Sequence, residues 1–393
     1  MSTRSRGGNF EWHVVVLALV LVAVGVLFVQ SATQTSEKLA NLPRRQMIYL
    51  LAGIPLFVLA VRIPYLELVR WSPVLLVVTG IVLAGLLLFG PVIENARRWI
   101  VLPGGYVLQP AEFAKVVVIL SLARHLRFSA DITTSWGLLK TLLIPLPIIL
   151  LVALEPDLGT ALVFVPLTLV MVFVGGARLR HLFVLGSAAL VLLPLLWFSP
   201  LLKDYQKARL TSFLNTVPIL TAQRLEALAR DDVEEVRRLD ERILAAKRSS
   251  GYQHFHAMIA FGSGGLTGHG LGEGPHSQLR YLPQIQADFI FAVLGEEWGF
   301  FGTVALVLLF LILGWLLLGI AYRAREPAGR LVGVGVAGLL VLQAFVNMGM
   351  TSGALPITGL TLPFVSAGGS SLWSSLVALG LALNVALHPR TID

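Results

Sequence analysis

The sequence has no cysteine and little charge. Among its 393 residues only 13% are Asp, Glu, Lys or Arg, about half the share in an ordinary soluble domain. Without Cys there is neither a disulfide framework nor a thiolate metal site. The signatures of soluble catalysis are missing as well. There is no Walker A motif and no HExxH, and the glycine run at 262–270, GSGGLTGHG, has no strand–helix unit around it to make a dinucleotide fold.

What replaces charge is apolar sequence. Hydrophobic residues make up 56% of the chain, and its mean hydropathy is +0.81. A long soluble chain is excluded, and the fold class is an all-α polytopic membrane protein. A span needs about 20 apolar residues. By that measure the chain has about ten candidates, near 12–32, 47–62, 72–91, 109–126, 137–154, 158–176, 181–199, 288–320, 331–351 and 366–388. The second is short, and the eighth is long enough to tilt or to run beyond the bilayer. No small-residue cleavage site follows the first run, so it reads as a retained span. The ten spans form a single membrane domain, residues 1–393.

The net charge of +8 would raise nucleic acid as a partner in a soluble chain. In a membrane chain, positive loops set topology and meet anionic membrane lipid, and nucleic acid is not expected. One side, termini and short loops together, collects Arg4, Arg6, Arg62, Arg70, Arg124, Arg127, Lys140, Arg178, Arg180, Arg323, Arg325, Arg330 and Arg390. The opposite short loops hold only Lys38, Arg44, Arg45, Arg97 and Arg98. Both termini are therefore expected in the cytoplasm. The one large loop, about 200–287 between spans seven and eight, is then extracytoplasmic. Within it, 216–250 reads as a charged amphipathic helix lying on the membrane or against a partner. Gly251–Arg280 begins as a short helix or re-entrant segment and continues into glycines that let a backbone approach a ligand closely.

The polar clusters fall on that same outer side. Asp288 stands at the mouth of an apolar span, where a carboxylate is costly to place. It is a helix N-terminal group or a general base. Glu112 and Lys115 share a helix face at i, i+3, either neutralising each other or lining a cavity in which Lys115 holds an anion. Arg97 and Arg98 suit a phosphate, or anchor the interface beside Trp99. Asp157 and Thr160 lie in the EPDLGT turn, where capping by Asp157 is the plainer reading. Lys207 and Arg209, in DYQKARL, are an interfacial anchor or substrate contacts. Gln278 in SQLRYLPQ and Ser366 in the broken stretch TSGALPITGLTLPFVSAGGSS complete the candidate substrate contacts. Irregular backbone at membrane depth survives only where it is buried in protein or lines a cavity. Glu296 and Glu297, one helix segment deeper than Asp288, read as structural groups facing the bundle.

Taken together, RRW (97–99), LQPAEFAK (108–115), EPDLGTA (155–161), DYQKARL (204–210), GSGGLTGHGLG (262–272), SQLRYLPQIQADFIFAVLGEEWGF (277–300), VNMGM (346–350) and LPITGLTLPFVSAGGSSL (355–372) resemble the SEDS family of RodA, FtsW and SpoVE proteins, in order and over nearly the whole chain. The resemblance implies a peptidoglycan glycosyltransferase of the bacterial cytoplasmic membrane. Such an enzyme polymerises lipid II at the outer face beside a class B penicillin-binding protein. It implies Asp288 as the catalytic residue and carries over Glu112, Lys115, Asp157 and Thr160. Glu155 stands where the family commonly has Gln, and Gln286, Ala287, His269 and Ala367 also depart from its pattern. SQL before YLP leans towards RodA and GLTLPF towards FtsW, with RodA favoured. A divalent cation, Mg or Mn, is a possible cofactor. The rival classes are a lipid II flippase and a non-catalytic scaffold that recruits a penicillin-binding protein.

Overall fold

The structure is a computed structural model that describes residues 10–35, 39–93, 96–128, 130–181, 183, 187, 216–230, 232–247, 250–278 and 285–388. Apolar runs with no water to satisfy their backbone must close their hydrogen bonds internally, and helices do so. In order the elements are α1 (Trp12–Thr33), α2 (Leu42–Arg62), α3 (Tyr65–Phe89), β1 (Ile100–Leu102), β2 (Tyr106–Leu108), α4 (Pro110–Phe128), α5 (Ser135–Leu142), α6 (Leu146–Leu154) and α7 (Leu158–Val174). After them come α8 (Thr216–Ala229), α9 (Val233–Lys247), α10 (Ser250–Ser263), α11 (Pro275–Gln278), α12 (Ile290–Arg323), α13 (Pro327–Thr351) and α14 (Gly369–Leu387).

Six of the described helices, α1, α2, α3, α12, α13 and α14, are long and apolar enough to cross a membrane, and the pair α5–α6, bent by 41°, makes a seventh. The spans expected at 109–126 and 158–176 correspond to α4 and α7. Of these, α4 carries Glu112, Lys115, Arg124 and Arg127, and α7 is short at 17 residues. The span expected at 181–199 lies almost entirely outside the described residues. The most apolar stretches of α13 and α14 are 72% and 78% buried, against 22% and 17% for α2 and α3. The first two therefore form the centre, and the others turn side chains such as Leu51, Ile54, Val77 and Ile81 outwards, as lipid-facing helices do.

Polar side chains repair the backbone where helices stop or bend. Asn384 donates to the carbonyls of Ala60, Val61 and Ile63 and accepts from the Tyr65 N–H, so one amide serves the end of α2 and the start of α3. Pro73 inside α3 cannot donate to Val69, and the Ser72 hydroxyl donates there instead, at 2.8 Å.

Two expectations are corrected here. The eighth span is not one continuous helix. It breaks at Gly299, whose φ of 63° and ψ of −157° are not helical. The break frees the carbonyls of Glu296 and Glu297 and the amides of Phe300 and Phe301. Residues 264–270 take all four: His269 and Gly270 donate to those carbonyls at 3.1 and 3.0 Å, and Phe300 and Phe301 donate to Gly265 and Leu266 at 2.9 and 3.2 Å. Gly264 and Gly268 of this loop therefore approach another backbone. A Cβ on Gly264 would stand 2.0 Å from the Gly295 carbonyl, and one on Gly268 would stand 2.1 Å from that of Glu297. Glu296 and Glu297 are buried. Glu296 accepts from the His276 and Ser277 amides at 2.7 and 2.9 Å, and Glu297 accepts from the Ser31 hydroxyl.

The second correction concerns 216–250, which is a pair of helices rather than one. The helices α8 and α9 fold back on each other over Leu220, Ala227, Leu239 and Ile243, and Arg224 pairs with Asp240 at 2.5 Å. The apolar stripe is used within the pair. Leu225 and Leu228 stay exposed.

Candidate active site

A cavity of about 500 Å³ lies at the end of the bundle where Asp288 sits, within the 300–1,000 Å³ usual for ligand sites. Its walls come from the start of α2 (Arg45, Gln46, Tyr49), the β-hairpin and its flanks (Arg98, Trp99, Val107, Gln109) and the start of α4 (Glu112). The start of α7 (Asp157, Thr160), the turn before α12 (Gln286, Ala287, Asp288), the segment between α13 and α14 (Gly359–Thr361, Ala367, Gly368) and the start of α14 (Gly369–Ser371) complete it.

The hairpin sets one wall. Gly104 and Gly105, with φ of 82° and 73°, make the turn that only glycine adopts readily. The resulting register pairs Ile100 with Leu108, so Arg98 and Gln109 emerge side by side at its base. Both reach Asp157. Gln109 donates its side-chain amide to Oδ2, and an Arg98 guanidinium nitrogen lies 3.7 Å from Oδ1. Asp157 also caps α7, accepting from the Thr160 N–H at 3.2 Å and from its hydroxyl at 2.9 Å. The capping and cavity-lining roles thus coincide in one carboxylate.

Glu112 is held from behind. Its Oε1 accepts from Lys115 Nζ at 2.9 Å and its Oε2 from the Ser374 hydroxyl at 3.1 Å. Lys115 is fully buried and also donates to Gln343 Oε1 at 2.7 Å. Gln343 in turn donates to the Thr361 carbonyl at 3.0 Å, and the Thr361 hydroxyl donates to Ser371 at 2.6 Å. A polar chain therefore runs from α4 through α13 to the broken segment before α14.

Asp288 is half-buried, two residues before the first residue of α12. Phe289 and Ile290 bury completely behind it and fix the entry of the chain. Two backbone pins flank it. Asn347 donates to the Asp288 carbonyl at 2.9 Å, and the Ala367 amide donates to the Gln286 carbonyl at 2.9 Å.

Of the side chains singled out from the sequence, Asp288, Glu112, Asp157, Thr160 and Arg98 meet on this cavity. Lys115, Arg97, Ser366 and Gln278 do not line it. Lys115 is engaged behind the wall and has no face towards an anion. Arg97 is exposed and donates to the Leu88 carbonyl at 2.7 Å. Ser366 accepts from the Leu362 amide at 2.8 Å and shapes the loop. Gln278 reaches the Ser31 carbonyl at 3.4 Å. Lys207 and Arg209 lie outside the described residues. Sequence reasoning missed Arg45, Gln46, Tyr49 and Gln109 as parts of the site. Arg45 counted only towards topology, yet it stacks over Tyr106, 5.9 Å from the ring centre, with Tyr49 edge-on to the same ring. Among the described residues, no three His, Asp or Glu side chains converge to hold a metal ion.

Apolar helices around a polar cavity, with carboxylates and guanidinium groups on its wall, define an integral membrane protein. The chain belongs to the FtsW, RodA and SpoVE family: the family model described as "Cell cycle protein" (FTSW_RODA_SPOVE) matches residues 11–391. A Trichlorobacter lovleyi protein named "Probable peptidoglycan glycosyltransferase FtsW" is 34% identical over 390 residues, covering 97% of this chain and 94% of that one. Stage V sporulation protein E of Bacillus subtilis is 33% identical over 386 residues, with 96% of each covered. A chain from a structure described as "Structural coordination of polymerization and crosslinking by a peptidoglycan synthase complex" superposes with a TM-score of 0.74 at 30% identity, over 96% of this chain and 98% of that one. The crystal structure of the Thermus thermophilus rod shape determining protein RodA superposes with a TM-score of 0.65 at 29% identity, over 96% and 97%.

Proposed function

We propose that this chain is a peptidoglycan glycosyltransferase that polymerises lipid II at the outer face of the cytoplasmic membrane, with both termini in the cytoplasm. The observation that carries the reading is the convergence of Asp288 with Arg45 and Arg98 on one cavity wall. Chain extension displaces a polyprenyl diphosphate from C1 of one sugar by the 4-hydroxyl of the next. That hydroxyl must lose a proton as the new C–O bond forms, and Asp288 is the base that accepts it. The C1–O electron pair leaves with the diphosphate, whose charge Arg45 and Arg98 offset. Glu112 and Asp157 stand ready to accept hydrogen bonds from sugar hydroxyls. The polyprenyl tail lies along the lipid-facing helices. A Mg or Mn ion enters this reading only as a counter-ion brought by the diphosphate.

A class B penicillin-binding protein is the partner in this reading, supported by the neighbouring structure's description as a peptidoglycan synthase complex. In an elongation role, depletion rounds the cells; in a division role, it leaves filaments. The direct test gives purified protein, with and without that partner, labelled lipid II in detergent and reads polymer length on a gel. The wild type makes glycan, and Asp288→Asn folds but makes none. Near-normal glycan from that variant sinks the assignment, and a carrier that only moves lipid between leaflets yields no polymer at all.

A further inference from the structure

Glu155 closes α6, two residues before Asp157, and the reaction described above gives it no task. It is 0% exposed. Neither of its carboxyl oxygens has a hydrogen-bond partner among the described residues, whereas Glu112 and Asp157 are both engaged. A buried carboxylate without partners is far more costly than the neutral acid. Nearby, the Nε of Arg98 is also buried without a partner, while its other end faces Asp157. The guanidinium thus has a donor to spare, and Glu155 has two acceptors to spare.

Among the described residues, the charged groups facing Glu155 are Asp157 and Arg98. The bodies of α6 and α7 carry no ionisable side chain, and neither does the segment 352–368 that packs on the start of α7. On α4, Glu112 and Lys115 satisfy each other. On α3, Glu67 and Arg70 sit at the opposite end, where Arg124 donates to the Arg70 carbonyl at 2.5 Å. Burial, and then the Asp157 charge, push the Glu155 carboxyl up to about 8, with Arg98 opposing.

We propose that Glu155 is a positioning residue that sets the cavity's hold on a diphosphate-bearing substrate through its own proton. Protonated, it leaves Arg98 to Asp157 and the cavity. Ionised, it draws the guanidinium back and adds a negative charge behind the wall. The inference rests on the reading that the substrate carries a diphosphate.

The test uses the full chain in detergent, as wild type and as Glu155→Gln, which keeps the shape of the neutral acid. KM and kcat for lipid II are measured from about pH 6 to pH 9, together with the Kd of a polyprenyl diphosphate. Expected for the wild type is a rise of about tenfold in KM and Kd through pH 8 with kcat little changed, the size of one added charge at close range. Glu155→Gln stays flat. The same alkaline rise in both proteins overturns the inference while leaving the polymerase reading intact. Absence of polymer from every sample defeats that reading, and diphosphate binding still decides the role of Glu155. Thermal unfolding gives an independent readout. A raised carboxyl pKa gives stability that is present in full below pH 4.5 and is lost as pH rises to about 8. The melting-point advantage of Glu155→Gln should therefore widen between those values and stay constant above. A gap that does not change with pH overturns the proposal.

Discussion

Removing the Lys115 ammonium tests whether the buried chain behind Glu112 acts as a unit. Lys115→Met keeps the length of the stem and deletes the charge. Nζ is the donor to Glu112 Oε1 and to Gln343 Oε1, and both carboxylate and ammonium are buried. Breaking a buried pair from one side costs about 3–5 kcal/mol, because the remaining charge stays behind. The stranded Gln343 carbonyl adds roughly 1–3 kcal/mol. At about 2 °C per kcal/mol for a large chain, the charge alone lowers the melting temperature by about 6–10 °C. Adding Glu112→Gln removes the stranded charge, so the double variant recovers most of the loss. Independent sites would instead add their costs. The assay is thermal unfolding in detergent, followed by intrinsic tryptophan fluorescence for the wild type, both single variants and the double. A Lys115→Met protein melting within about 1 °C of the wild type, or a double variant at the sum of the singles, refutes the reasoning.

Two further substitutions probe the wall and the break. Asp157→Asn keeps a good N-cap for α7 but loses the charge that Arg98 faces, so kcat/KM for lipid II should fall about ten- to a hundredfold, matching roughly 1.5–3 kcal/mol for a charged hydrogen bond, with little change in melting. An unchanged kcat/KM argues against a role for that carboxylate in the cavity. Gly268→Ala places a methyl group 2.1 Å from the Glu297 carbonyl in a residue with φ of 80°. The left-handed conformation alone costs about 1–2 kcal/mol, so the loss of stability should exceed that; melting within 1 °C of the wild type shows that the loop can yield.

The membrane class was legible because an apolar run long enough to span needs no partner to be recognised. The site was legible where charge is rare: Asp288, Glu112, Asp157 and Arg98 stand out against their surroundings and do converge. The rest depended on contacts remote in sequence. Gln343 and Asn347 are single polar residues in an apolar helix, and their meaning comes from Lys115 and from the Asp288 carbonyl. Of the two readings open for Glu112 and Lys115, mutual neutralisation is the one that holds, while the bond from Lys115 to Gln343, 228 residues away, cannot be seen from the local sequence. The break at Gly299 was hidden for the same reason. A glycine is tolerated in a straight span, and only the loop at 264–270 shows that the helix stops there.

That exchange of backbone bonds between the loop and α12 also limits how the two stretches can change over generations. Neither can gain or lose a residue alone. A one-residue deletion between Gly265 and Gly270 would shift the loop's four partners out of phase. It would strand carbonyls and amides in the interior at roughly 1–3 kcal/mol each, even though no functional side chain had been touched. Insertions should therefore be tolerated in the α8–α9 pair, which has its own small core, and rejected in the glycine loop. The loop and the helix break are inherited as one part.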